Sequence, residues 1–301
     1  METVQKELER ILKKEQILQN EPMDRHTTFR VGGPADILLQ PTAESLPEVM
    51  RCLHSHKVPV TVIGNGSNLL VADKGVRGVV IEMGKQLADV CITKEYVTAQ
   101  AGALLSKVSY AAYKEGLSGM EFAAGIPGSI GGAVVMNAGA YGGEMKDIVH
   151  SVTVLKKDGT VLELSNDQME FAYRHSCAAE NEYLVISVTL CLHKSKPERI
   201  IQKMEELKEQ RVKKQPLEYP SAGSTFKRPE GYFAGKLIMD AGLSGALVGG
   251  AQVSEKHCGF VINKGGATAA DILALIQHIQ KTVKEQFGVE LQTEVKLLGE
   301  F

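Results

Sequence analysis

Apolar positions in the first half of the chain recur in short runs closed by turn residues. "ADILLQP" (35–41), "PVTVIG" (59–64), "NLLVAD" (68–73) and "GVVIEM" (78–83) each read as a strand. "TAESLPEVMRCLHSHK" (42–57) interrupts them with a helical pattern, and the charged opening stretch, 3–19, reads as an amphipathic helix. A second group follows: "YVTAQAG" as a strand, a helix from about Leu104 to Glu115 stopped by Gly116, and strands near 148–156 and 183–192. The mixture is strand-rich and lacks a regular βαβ alternation, which points to an α+β protein.

Further on, Ile200, Ile201, Met204, Leu207 and Val212 recur at helical spacing until Pro216, and a lobe boundary is expected in this helix. Thr268 and Asp271 resemble a capping box, followed on one face by Ile272, Leu275, Ile276, Ile279, Val283 and Phe287 before Gly288. "VELQTEVKLL" then alternates, with Val289, Leu291, Val295 and Leu297 expected inward and Glu290, Glu294 and Lys296 on the other face. Neither a fixed-period repeat nor a low-complexity tract is present.

Composition narrows the functional classes. With 301 residues, 44% of them hydrophobic, the chain can bury a sizeable core in two lobes. Its 34 basic and 36 acidic residues leave a formal net charge of −2, with no basic stripe to neutralise a duplex, so nucleic acid is not an expected partner. Five cysteines, Cys52, Cys91, Cys177, Cys191 and Cys258, show no CxxC spacing and read as reduced thiols. His54 and His56, two apart on a helix, point to different faces, and no metal site is expected. The start lacks the apolar run of a signal peptide, which gives an expectation of a cytoplasmic protein.

The chemistry concentrates in glycine. "AAGIPGSIGGAVVMNAGAYGGE" (123–144) has no charged side chain before Glu144, yet its Gly and Ala content, Pro127, Asn137 and the lack of a basic flank argue against a membrane span. No GxGxxG occurs, and "GYFAGKL" is one residue short of a Walker loop, with Leu237 where Ser or Thr would bind magnesium. A second loop, "GNGSN" (64–68), follows a strand and suits an anion nest, with Ser67 and Asn68 as added donors. Two such segments suggest a cofactor whose pyrophosphate and flat ring lie against bare backbone; the plainer alternative is tight turns between packed strands.

The motifs "TTFRVGGPA", "IGNGSNLLV", "AGIPGSIGGAVVMNAGAYG", "YRHS", "AGSTFKRP" and "LQTEVKLLG", in this order from about residue 27 to 299, resemble the UDP-N-acetylenolpyruvoylglucosamine reductase (MurB) family. The resemblance implies a vanillyl-alcohol-oxidase (PCMH) type FAD domain over 21–200, after an N-terminal helix over 1–20, and a smaller α+β substrate domain over 201–301. FAD would be held non-covalently by Gly64, Asn65, Gly66, Ser67, Asn68, Gly125, Gly128, Ser129, Gly131, Gly132 and Asn137. NADPH would reduce it, leave, and be replaced by UDP-N-acetylglucosamine enolpyruvate, giving UDP-N-acetylmuramate for peptidoglycan.

By motif, the family's strand-borne arginine, its serine and its glutamate fall on Arg174, Ser224 and Glu294. The implied reaction delivers a hydride from reduced flavin N5 to the terminal enolpyruvyl carbon, leaving enolate character beside the substrate carboxylate. Arg174 and Glu294 would stabilise that charge and Ser224 would protonate the adjacent carbon. Lys214 in "RVKKQP" matches a substrate-contact position suited to a diphosphate, and Arg228 stands where some relatives have asparagine. The family's longer form carries a tyrosine segment for which there is no room between Arg174 and Lys214, so the chain resembles the shorter form. Two rival readings are an FAD oxidase of the same superfamily and a noncatalytic flavin- or sugar-nucleotide-binding module.

Overall fold

The computed structural model describes residues 2–301. It is an α+β protein whose chain builds two compact units that interleave in sequence. One comprises residues up to Gln19, Ile37–Asn65 and Gly78–Arg211; the other comprises Asn20–Asp36, Gly66–Arg77 and Val212–Phe301.

The first unit contains helices α1 (Glu2–Ile11), α2 (Leu46–Ser55), α3 (Leu105–Lys114), α4 (Ile130–Val135) and α5 (Cys177–Glu180), and most of α6 (Pro197–Lys214). A four-stranded sheet runs in the order 17–22, 34–39, 76–82, 60–63, the last two strands parallel. A five-stranded antiparallel sheet runs 161–165, 149–155, 184–191, 96–100, 90–93. One core serves both: α1 contributes Val4 and Leu8, Leu12 follows just beyond it, α2 contributes Leu46, Val49, Met50 and Leu53, and α3 contributes Leu105, Val108 and Ala112. These spacings are the apolar stripe of a helix lying on a sheet.

The second unit carries α7 (Ala234–Asp240) and α8 (Ala269–Phe287), an antiparallel sheet of 247–248, 251–253 and 261–263, and a parallel pairing of 69–71 with 296–298. Ile272, Leu275, Ile276, Ile279 and Val283 of α8 are all buried, packed with Phe29, Leu70, Val253 and Val295. The capping box forms as the sequence predicts: Asp271 N–H donates to Thr268 Oγ1 at 3.0 Å, and Thr268 N–H to the Asp271 carboxylate at 2.9 Å. That backbone bond to Thr268 holds the Asp271 carboxyl below its usual range. Asp73 takes the N–H groups of Ala269 and Ala270 at 2.8 and 2.9 Å, so a loop far away in sequence finishes the same helix start.

Four expectations change. The N-terminal helix stops at Ile11, because Ile17–Pro22 is recruited as a strand of the first sheet. The contiguous division at 20 and 200 becomes an interleaved one, since Phe29, Val31 and Leu70 bury themselves in the second core. "VELQTEVKLL" is not one alternating strand: only Lys296–Leu298 is strand, and Leu297 is 44% exposed because its partner is a parallel edge and not a covering layer. Val212 and Phe287, expected on apolar faces, lie at helix ends and are 52% and 39% exposed.

Candidate functional site

In the first unit, strand 60–63 ends at Gly64, which lies against the residue preceding α4. A side-chain carbon on Gly64 would stand 2.4 Å from Ser129 Oγ, so the Ser129 hydroxyl would have to swing aside for any other residue. Asn65 reaches across with Nδ2 to the Pro127 carbonyl at 2.7 Å and ties the two glycine loops together. Within the second loop, Gly125 takes a hydrogen bond from Arg211 and Gly128 one from Leu105 N–H. Ile130 and Gly131 spend their N–H groups on the Ala103 and Ala101 carbonyls at 2.8 and 2.9 Å. Gly132 is the next first-turn amide and faces Ser129 Oγ across 3.6 Å from its own side-chain position.

Ser129 is 2% exposed, and among the described residues its hydroxyl is the one buried side-chain oxygen or nitrogen without a hydrogen-bond partner. An unmet buried hydroxyl is costly and calls for an explanation. Two glycine loops closing on an unspent donor are what a bound diphosphate needs, so the residues present fit a dinucleotide cofactor of the FAD kind.

Asn137 Nδ2 donates to Glu144 Oε2 and to the Ala172 carbonyl, both at 3.0 Å, and its Oδ1 accepts Lys146 N–H at 3.0 Å. Both amide hydrogens are spent on protein, so the side chain fastens a turn.

The turn it fastens carries Arg174. Ala172 and His175 exchange backbone hydrogen bonds at 3.1 and 3.2 Å, leaving Tyr173 and Arg174 at the tip of a tight turn rather than on the strand expected for the arginine. Arg174 has a left-handed backbone, φ 53°, which costs a non-glycine residue energy and persists only where the surroundings impose it. Those surroundings are visible: Asn137 holds Ala172, and the buried Ser176 hydroxyl donates to the Val135 carbonyl of α4 at 2.9 Å. The guanidinium lies over the Tyr173 ring, 5.0 Å from its centre.

In the second unit, Gly66 has φ 61°, and a side chain there would collide with the His26 carbonyl. Ser67 follows in a half-buried turn. Asn68 grips the segment that bears Glu294: its Nδ2 donates to the Glu294 carbonyl at 3.0 Å and its own carbonyl accepts Lys296 N–H at 2.9 Å.

Thr225, the residue after Ser224, ties that segment to Glu294. Glu294 N–H donates to the Thr225 carbonyl at 2.8 Å, Thr225 N–H donates to Gly259 O at 2.8 Å, and the buried Thr225 hydroxyl accepts Val261 N–H at 2.9 Å. Ser224, next in chain, is exposed, while Glu294 is half-buried. His257, not singled out by sequence, joins the same lattice: its Nδ1 accepts Gly259 N–H at 3.1 Å, which puts the ring proton on Nε2. Burial pushes its pKa below 6.5, and the ring stacks edgewise on Phe260 at 4.9 Å. One histidine among eight offered no signal in sequence.

Arg228 lies 4.1 Å over the ring of exposed Phe233, its Nε donating to the Tyr232 carbonyl at 3.4 Å. Lys214 is the exposed last residue of α6. No described helix is long and apolar enough to cross a membrane.

Comparisons with known proteins agree with this geometry. Residues 34–165 match the FAD binding domain family, and residues 215–298 match the family described as UDP-N-acetylenolpyruvoylglucosamine reductase, C-terminal domain. The UDP-N-acetylenolpyruvoylglucosamine reductase of Agathobacter rectalis is 55% identical over 297 residues, 95% of each chain. That of Clostridioides difficile is 54% identical over 291 residues, 96% of each. The crystal structure of the Thermus caldophilus UDP-N-acetylenolpyruvylglucosamine reductase (MurB) superimposes with a TM-score of 0.81 at 36% identity, covering 94% of this chain and 98% of that one.

Proposed function

The chain belongs to the UDP-N-acetylenolpyruvoylglucosamine reductase family, FAD-binding oxidoreductases of peptidoglycan synthesis, and from that premise we propose how its residues divide the work. The substrate is UDP-N-acetylglucosamine enolpyruvate, NADPH is the reductant, and UDP-N-acetylmuramate is the product. Bound FAD supplies the hydride.

Gly64, Gly132 and the Ser129 hydroxyl are the groups assigned to the diphosphate of the cofactor, Ser129 as the side-chain donor. Arg174 takes the substrate carboxylate and the negative charge that grows beside it, because a guanidinium is always charged and binds carboxylates as a fork. The strained turn supports this assignment: Asn137 and Ser176 hold the backbone on either side of Arg174, so the turn that presents the guanidinium is fixed before charge develops.

Ser224 holds the proton destined for the carbon next to the carboxylate. A serine hydroxyl is a weak acid, so its proton must be replaced through polar neighbours or water. Glu294, in a segment fixed by Thr225 and Asn68, is assigned to polarise the same charge. Lys214 and Arg228 are assigned to the nucleotide phosphates as point charge and fork.

The observation that supports the reading is the 2.8 Å bond from Glu294 N–H to the carbonyl of Thr225, the residue after Ser224, which holds the two segments against each other. The test separates the half-reactions. In S224A, reduction by NADPH should proceed at the parent rate while reoxidation by the enolpyruvyl substrate slows by roughly 10²- to 10⁴-fold. Full reoxidation speed in S224A would remove Ser224 from the chemistry.

A further inference from the structure

Helices α1 and α2 carry none of the residues assigned to the reductase, yet they assemble a second constellation. Val4, Leu8 and Leu12 of the N-terminal segment pack with Leu46, Val49 and Leu53 of α2 in the first core. Glu7 lies beside this seam. Cys52 of α2 and His56, which caps that helix's C-terminal end, are four residues apart and share a face one turn apart.

Both converge on one carboxylate oxygen: Cys52 Sγ lies 3.4 Å and His56 Nε2 3.0 Å from Glu7 Oε2. The three ligand atoms all lie within 4.8 Å of one another. Bonds of about 2.0 Å to oxygen and nitrogen and about 2.3 Å to sulfur imply ligand-to-ligand edges of roughly 3.3–3.8 Å around a tetrahedral ion. Shifts of a few tenths of an ångström would open that edge.

We propose that Glu7, Cys52 and His56 bind one borderline-soft divalent cation of the zinc class, clipping α1 to α2. The donor set is one thiolate, one imidazole and one carboxylate, which selects such an ion over the oxygen-seeking calcium and magnesium. Charge balance points the same way: Arg10 and Arg51 offset Glu7 and Glu48 around the adjoining hollow, so no surplus of carboxylates draws a hard cation. That hollow, about 390 Å³ and open to solvent, offers an entry path and room for water as the fourth ligand.

The protons balance as follows. Without the ion, the Cys52 thiol and a His56 N–H both point at Glu7 Oε2. On binding, metal–sulfur, metal–nitrogen and metal–oxygen bonds form, the thiol proton goes to solvent, and the imidazole proton moves to Nδ1. Nothing is oxidised or reduced. No metal is expected from sequence, where His54 and His56 point to different faces and no CxxC occurs; Glu7 joins Cys52 and His56 only when α1 packs on α2.

Cobalt(II) added to the full-length, flavin-loaded protein tests the proposal, because its tetrahedral bands fall to the red of flavin absorption. The proposal expects one equivalent of Co²⁺ to give these bands, Zn²⁺ to displace it, and both C52S and H56A to lose them, while C91S and C191S keep them. H56A alters an exposed side chain, so its folding is not at issue, and its reductase turnover should equal the parent's. Absence of the bands in the parent protein, or their survival in both C52S and H56A, would overturn the site.

Discussion

Gly64 and Ser129 pack closely at the scale of single residues. In G64A the added carbon must turn the Ser129 hydroxyl to another rotamer, with little cost to stability. The variant should lose FAD on gel filtration more readily than the parent, read as the ratio of flavin to protein absorbance. His257 gives a pH dependence. Its pKa is lowered by burial, so the unfolded chain binds more protons than the native one just below pH 6.5. The stability it contributes is complete above 6.5 and lost as pH falls through the lower native value. H257Q should flatten that part of a denaturant-midpoint against pH curve, and an unchanged slope would mean that another group titrates there.

The thiols sort by burial too. Desolvation first, and the neighbouring Glu7 second, push Cys52 up to about 11, whereas Cys91 and Cys191 are exposed. At pH 8 an aromatic disulfide reagent should label the exposed pair quickly and Cys52 only slowly. Arg174, Ser224 and Glu294 stand out as candidates because each sits in a distinctive motif. His257 and the fastening role of Asn137 do not, since a lone histidine or asparagine says nothing until its hydrogen-bond partners are known.

At the scale of elements, the strands with buried positions and the long α8 stripe read true, while the N-terminal helix was read too long and two strands were missed. The α8 stripe and its capping box follow directly from spacing, because one helix presents a whole face to one core. T268A should cost about 1 kcal/mol through loss of the cap, visible as a lower melting temperature with flavin binding intact. Strands 90–93 and 161–165 went unread: their exposed and half-buried positions alternate without any buried residue, so hydrophobicity alone could not raise them above loop. Ile17–Pro22 was read as helix because its neighbours are charged and helical; only pairing in the first sheet makes it a strand.

For the molecule as a whole, chain order hid the architecture. Residues 20–36 and 66–77 look like parts of the first lobe in sequence and belong to the second unit, as Phe29 and Leu70 in its core show. Periodicity reports which face is buried, not which core receives it. The α+β class and the change of unit within α6 were legible, because Pro197 to Pro216 brackets one long helix. The central claim is that this whole molecule passes a hydride from NADPH to an enolpyruvyl sugar nucleotide. The measurement that bears on it most directly is the visible spectrum of the purified protein without oxygen, after one equivalent of NADPH and then after UDP-N-acetylglucosamine enolpyruvate. The account predicts a yellow protein that bleaches and regains its colour as UDP-N-acetylmuramate forms; a bleached flavin that ignores the enolpyruvyl substrate would contradict it.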